Sequence, residues 1–367
     1  MKRKSSTITV GDIATRVGLS RQTVSYILNE KGHLFRPETR RLVIEAAEDL
    51  GYRPNAVAKA LRSGKFNGIG LVSSAGLDSG TVTSEKIFGI HEVLQVHDFH
   101  LVSARYSDEF LVSRVFIPKM LRELMVDGLI VNYTHRVPPE LVQQVENSPL
   151  PTIWLNVKQP YDCVRPDDFQ GGALATSHLL KLGHQDIAFV DVFRTEEEIL
   201  SRDTSFHYSV RDRWKGYEAA MRGAGQRPRL FSRNPRLSPS ESKAGPFDWL
   251  EGPRQPTALL FSSEGGLMPA LMQMAYQGRR IPQDISVMCF QDGERTVGGG
   301  YAVDYVLVPH RLLGATAAEL LIKKIQQNEK QKDPVAIIPC KLCAAGYSVG
   351  PPPAKAFVTQ RKRGAKA

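Results

Sequence analysis

From residue 66 to about residue 353, short apolar runs alternate with amphipathic ones, and this alternation leaves few folds open to the chain. Residues 66–73 read as a buried strand, 87–96 as an amphipathic helix and 100–104 as an extended run. The series continues with helix 118–126, strand 128–132, helix 138–146 and strand 151–155. The pattern then restarts with helix 171–182, strand 186–190, helix 213–223, strand 258–261, helix 267–277, strand 286–290 and helix 311–327. Strand-helix alternation through two blocks calls for an α/β body of two doubly wound subdomains. Ligands bind such sheets outside the carboxyl ends of their strands, so two facing sheets make a cleft for a small molecule. The Pro-, Ser- and Arg-rich stretch 231–251 interrupts the alternation and reads as a surface loop.

The first sixty residues follow a different period. Val10, Ile13, Ala14 and Val17 form one apolar helical face, Gly18 permits a sharp turn, Leu19 anchors it and Ser20 can cap a second helix. That helix buries Val24, Ile27 and Leu28 and leaves Arg21, Gln22, Ser25 and Tyr26 on its other face. Two helices joined by a short Gly-containing turn, the second with a donor-rich start, have helix-turn-helix geometry. A third helix, 37–50, closes the small core, and the short Ala-rich segment from Asn55 to Arg62 is too brief to be helical alone in water.

Charge separates the same parts. Of a net +10, residues 1–64 carry twelve Lys/Arg against six Asp/Glu, and residues 354–367 carry five basic residues and no acid, which leaves the stretch between nearly neutral. A basic head on a neutral body fits a polyanion-binding module carried by something else. Four cysteines cannot staple a chain of 367 residues, no apolar run approaches a membrane span, and Ser5 onward lacks the apolar segment of a signal peptide. The expected setting is a reducing cytoplasm, with the cysteines as core residues. Histidines are scattered without metal-ligand spacing, and neither G-x-S-x-G nor a P-loop occurs. No catalytic constellation, metal site or cofactor is expected, so an α/β enzyme is a weak alternative. A secreted solute-binding protein is another, since it would share the body's fold but has no use for a basic head.

The run Ile8-Thr-Val-Gly-Asp-Ile-Ala-Thr-Arg-Val-Gly-Leu-Ser-Arg-Gln-Thr-Val-Ser-Tyr-Ile-Leu-Asn29, followed by Gly51-Tyr-Arg-Pro-Asn-Ala-Val-Ala-Lys-Ala-Leu61, resembles the helix-turn-helix and hinge helix of the lactose/galactose repressor family. The stretches 164–190, Arg213-Trp-Lys-Gly-Tyr217 and 279–292 resemble that family's periplasmic-binding-protein-like effector domain. The resemblance implies an all-α head over 1–54, a hinge helix over 55–64 and an effector-binding and dimerising body of two interleaved α/β subdomains over 65–353; the basic tail over 354–367 lies beyond it and reads as a disordered extension. Arg21 and Gln22 match base-reading positions, Thr23 and Ser25 phosphate-binding ones, and Leu61 the hinge leucine that wedges between base pairs. Thr9, Ser20, Asn29, Asn55 and Ala58 complete the implied DNA contacts, while Tyr26 stands where the family most often has Arg.

For the effector the matching positions are Asn156, Arg213, Ser263, Glu264, Gln291 and Asp292, with Trp154 or Trp214 available to stack on a sugar face. Ser263-Glu264 replaces the usual Asn-Asp, and Gln291 replaces an Asp. The implied function is that of a homodimeric transcriptional regulator, most often a repressor, on a near-palindromic DNA operator under control of a sugar-like effector. No membrane partner is expected.

Overall fold

The computed structural model describes residues 8–28, 31–53, 64–74, 82–106, 126–133, 137–201, 207–234, 250, 255–294, 302–327 and 331–354. The chain divides into two compact units, Met1–Phe66 and Asn67–Ala367.

In the first unit, α1 (Val10–Val17), α2 (Arg21–Leu28) and α3 (Pro37–Asp49) enclose Ile13, Ala14, Val24, Ile27, Val43, Ala46 and Ala47. A capping box starts α1: the Thr9 N–H donates to Asp12 Oδ2 at 2.7 Å, and the Asp12 N–H donates to Thr9 Oγ1. Gly18 ends it at φ 69°, the left-handed conformation that lets the chain reverse into α2. The Thr23 N–H donates to Ser20 Oγ at 3.0 Å, which caps α2.

The second unit carries two six-stranded sheets. In the first, β1 (Gly68–Ser74), β2 (His100–Tyr106), β3 (Gly128–Asn132), β4 (Thr152–Leu155), β5 (Cys163–Asp167) and β11 (Ala336–Pro339) lie in the order β11-β5-β4-β3-β1-β2, all parallel. In the second, β6 (Ile187–Asp191), β7 (Arg229–Ser232), β8 (Ala258–Phe261), β9 (Ser286–Gln291), β10 (Asp304–Leu307) and β12 (Lys341–Cys343) lie in the order β12-β10-β9-β8-β6-β7. Only β12 runs antiparallel there.

Helices cover both faces of each sheet, as buried parallel strands require. On the first sheet, α4 (Ser84–Val96) and α10 (His310–Gln327) bury Ile90, Leu94, Leu313, Ala317 and Leu321 on one face, and α5 (Pro139–Glu146) buries Leu141 and Val145 on the other. The second sheet packs α6 (Asp168–Lys181) and α8 (Ser209–Gly223) on one face and α9 (Leu267–Tyr276) on the other. A short α7 (Glu196–Leu200) adds Ile199 to the first of these.

Three departures from the sequence reading stand out. The alternation taken alone reads as successive blocks, whereas the subdomains interleave: α10 follows β10 of the second sheet yet packs on the first, and β11 returns to the first sheet before β12 joins the second. The pattern also did not reveal β5, β7, β10, β11, β12 or α7. These strands are short, and β5 and β11 contain Pro166 and Pro339, so neither gives a clean apolar run. Finally, the stretch 231–251 is not all surface loop: Phe231 and Ser232 belong to β7, and Leu250 is fully buried against the second sheet. Helix 118–126 and the segment 55–63 lie outside the described residues, apart from Val126.

Candidate DNA-reading face and ligand cleft

In the head, packing decides which side of α2 is free. Val24 and Ile27 turn into the core, while Arg21, Gln22 and Tyr26 are exposed and Thr23 and Ser25 half-buried. Gln22 Nε2 donates to Tyr26 Oη at 3.1 Å, so the two polar tips form one unit. Arg21 folds back over α1, close enough that a Cβ on Gly11 would stand 3.1 Å from its Nε. Thr9, Ser20 and Thr23 already use their hydroxyls locally, the last two bonded to each other at 2.9 Å. Asn29, Asn55, Ala58 and Leu61 lie outside the described residues.

In the body, polar side chains gather where strands end: Asn132 on β3, Asn156 after β4, Asp168 after β5, Ser262 after β8, and Gln291 with Asp292 at the end of β9. Arg213 ties the two halves of this ring together. Its Nε donates to Asp168 Oδ1 at 2.7 Å, one Nη donates to the Ser262 carbonyl at 2.6 Å, and its guanidinium lies 4.3 Å from the Phe290 ring centre. Burial works to raise the Asp168 carboxyl, and the adjoining Arg213 charge opposes it.

Asn156 is buried at φ 58° and accepts the Tyr208 hydroxyl on Oδ1 at 3.2 Å. Its carbonyl accepts from His207 Nε2 at 2.7 Å, while His207 Nδ1 accepts the Ser209 N–H. Both ring nitrogens are thus set for a neutral imidazole, and burial pushes the His207 pKa down to about 3. Across the ring, His310 Nε2 donates to Asp292 Oδ1 at 2.8 Å, and burial lowers the His310 pKa to about 4. Partial enclosure works against the Asp292 charge, yet the His310 bond and the Lys86 and Arg213 cations hold its pKa below the usual carboxylate range. Lys86, on the first turn of α4, is 2% exposed and feels both Asp292 and Asp168.

Of the positions expected from sequence, Asn156, through His207, and Asp292 share the surroundings of Arg213, and Ser263 adjoins the Ser262 carbonyl that Arg213 binds, whereas Gln291 is buried on the α9 side of β9 with Cys289. Glu264 is exposed. Trp154 and Trp214 are both core residues, Trp214 packing edge-on against Phe189 at 5.7 Å, so neither offers a stacking face. Lys86, Asp168, His207, Tyr208 and His310 escaped the sequence reading. Asp168 had a signal, the Asp167-Asp168 pair: Asp167 caps α6 through the Gln170 N–H and frees its neighbour to meet Arg213. His184, in contrast, bonds Thr257, Ser286 and the Gly350 carbonyl and is structural. Among the described residues no cluster of three His, Cys, Asp or Glu could hold a metal, and no helix is long and apolar enough to cross a membrane.

The sequence profile of bacterial regulatory proteins of the lacI family matches residues 9–55, and that of periplasmic binding protein-like domains matches residues 176–345. The chain belongs to the lacI family. Among curated relatives, the HTH-type transcriptional repressor PurR of Edwardsiella ictaluri is 25% identical over 337 residues, covering 90% of this chain and 94% of that repressor. PurR of Aliivibrio fischeri strain MJ11 is likewise 25% identical, covering 88% and 94%. The fold is that of the Lac repressor dimer bound to operator and the anti-inducer ONPF, at TM-score 0.75 and 23% identity over 94% of this chain and all of that one. The regulator CelR in complex with cellobiose is similar at TM-score 0.57 and 21% identity, covering 93% and 99%. This lacI-family chain is thus a transcriptional regulator with a helix-turn-helix head.

Proposed function

We propose that this lacI-family regulator represses transcription as a cytoplasmic homodimer on a near-palindromic DNA operator and that a small molecule in the cleft controls its affinity. The observation that carries the reading is the presented face of α2, where Arg21, Gln22 and Tyr26 are exposed on a helix positioned by a left-handed Gly18 turn. Arg21 and Gln22 read base edges, and Tyr26, bonded to Gln22, replaces the more usual Arg and changes the preferred half-site. Thr9, Ser20, Thr23, Ser25 and Asn29 contact the phosphate backbone. Residues 55–64 act as the hinge, with Asn55 and Ala58 against the DNA and Leu61 as the minor-groove wedge.

Exposed Phe88 and Leu312 on the paired helices α4 and α10, with Met272 and Tyr276 on α9, supply apolar surface for the dimer. The effector contacts Asn156, Arg213, Ser263, Glu264, Gln291 and Asp292. Several of these bridge strand ends of both sheets, so a bound molecule favours one arrangement of the two halves over another, and DNA and effector affinities become reciprocally coupled. Repression fits the relatives, which are repressors.

Selection of duplexes from a random pool by the full-length protein, followed by gel shift at several salt concentrations, tests the proposal. The expected result is a two-fold-related sequence bound with a steep salt dependence, weakened strongly by Leu61→Ser. Binding without sequence preference would sink it.

A further inference from the structure

Among the described residues two lysines are buried in the body, and they are treated very differently. Lys324 sits on α10 with Nζ 2.9 Å from Asp162 and 3.2 Å from Asp333, a fully paired structural cation. Lys86 is equally buried, but its ammonium makes no hydrogen bond and no ion pair with any described residue. Its place is fixed by backbone contact: a Cβ on Gly314 would lie 2.1 Å from the Lys86 carbonyl, and one on Gly89 would lie 1.9 Å from the Arg311 carbonyl. The first turn of α4 is therefore held hard against α10. From there the side chain reaches a region shared by both subdomains, where Asp292, Asp168, Arg213, His207 and His310 all sense its charge.

None of those neighbours neutralises it at contact. Arg213 holds Asp168, and Asp292 takes the His310 N–H. A buried ammonium without a partner is costly to maintain and is driven toward the neutral form, as the Lys86 pKa of about 8 reflects, burial being the cause. Around it, other buried polar atoms also lack partners: Asp168 Oδ2, His310 Nδ1, and both amide atoms of Asn132. Asn132 follows Ile130 by two residues on β3, so it faces the α4 side of the first sheet, the side that carries Lys86. Unmet acceptors and one unmet amide donor next to an unpaired cation describe a complementary ligand: an anionic group at one end, and hydroxyls, which both donate and accept, along the rest.

We infer that the cleft binds an acidic polyhydroxylated small molecule, a sugar acid or sugar phosphate, with its anionic group on Lys86 and its hydroxyls on Asp168, Asn132 and Asp292. This inference rests on the cleft being the effector site. A simple inorganic anion is too small to reach the acceptors as well, and a neutral sugar can accept from the ammonium but leaves its charge without a counter-ion.

Thermal unfolding and calorimetry of the full-length protein with matched pairs test it: gluconate against glucitol, glucuronate against glucose, glucose 6-phosphate against glucose, with inorganic phosphate alone as control. At least one acidic member should raise Tm, and its neutral partner and inorganic phosphate should bind roughly tenfold or more weakly, the worth of one charge-assisted bond. Lys86→Met should abolish that preference, and Lys86→Arg should retain part of it. Without ligand, Lys86→Met should melt no lower than wild type, because no ion pair is lost, whereas a structural lysine would lower Tm; Lys86→Gln serves if the Met variant fails to fold. Overturning results are neutral members binding as well as acidic ones, affinity unchanged in Lys86→Met, or no acidic member raising Tm. Gel shift on the selected duplex in parallel keeps the two readings apart. An acid bound through Lys86 that leaves DNA affinity unmoved refutes the effector role and not the inference, while a neutral sugar that moves DNA affinity does the reverse.

Discussion

Tyr26 and the two buried histidines show how a single side chain acquires its behaviour. The Tyr26 hydroxyl holds Gln22 Nε2, so Tyr26→Phe should release Gln22 while barely touching stability, since residue 26 is exposed. Selection of duplexes with that variant should return a relaxed preference at one half-site position, and an unchanged consensus would remove Tyr26 from the reading face. His207 and His310 are neutral by construction, with folded pKa values of about 3 and 4. Between those values and the unfolded value near 6.5 the unfolded chain holds more protons, so each histidine makes stability fall as pH drops from about 6.5 toward 4. For His310 the loss is on the order of 3 kcal/mol. Urea unfolding of wild type and His310→Asn at pH 7 and pH 5 should show a smaller acid loss in the variant.

Two pairs of helices meet backbone to backbone through glycine. Gly89 and Gly314 bring α4 onto α10, and Gly172 and Gly216 bring α6 onto α8, where a Cβ on Gly172 would stand 2.1 Å from the Arg213 carbonyl and one on Gly216 2.0 Å from the Phe169 carbonyl. Those obstacles are main chain and cannot rotate away. Gly172→Ala and Gly89→Ala should each destabilise by at least about 2 kcal/mol, read as a lower Tm. Gly172→Ala should also shift Arg213 and weaken ligand binding in the cleft. At Gly18 a Cβ meets nothing, but the left-handed φ remains, so Gly18→Ala should cost only about 1 kcal/mol. Element types were readable along the chain wherever apolar periodicity was strong, as in Gly128–Asn132 or α10. They were not where edge position or Pro166 and Pro339 broke it.

Across the molecule, the carboxyl-terminal segment closes the body. The buried Asp304 carboxylate accepts the N–H groups of Ala345, Gly346, Ser348 and Val349, and Ser348 Oγ donates to the Val287 carbonyl. Truncation after residue 354 should leave Tm unchanged and flatten the salt dependence of DNA binding, because it removes five cations beyond this clamp. Truncation after residue 344 should lower Tm sharply, since it strands the Asp304 charge in the interior.

The sequence by itself determined the α/β body, the helix-turn-helix head and which side chains of α2 stay exposed, because period and turn chemistry are local properties of the chain. Tertiary structure alone decided the cleft's chemistry. Asp168 meets Arg213 across 45 positions and Asp292 meets His310 across 18, and Lys86 shares their space from a helix still farther away in sequence. Charges brought together by crossovers between two sheets have no periodicity to announce them, and burial, which sets their protonation, exists only once the sheets have closed around them.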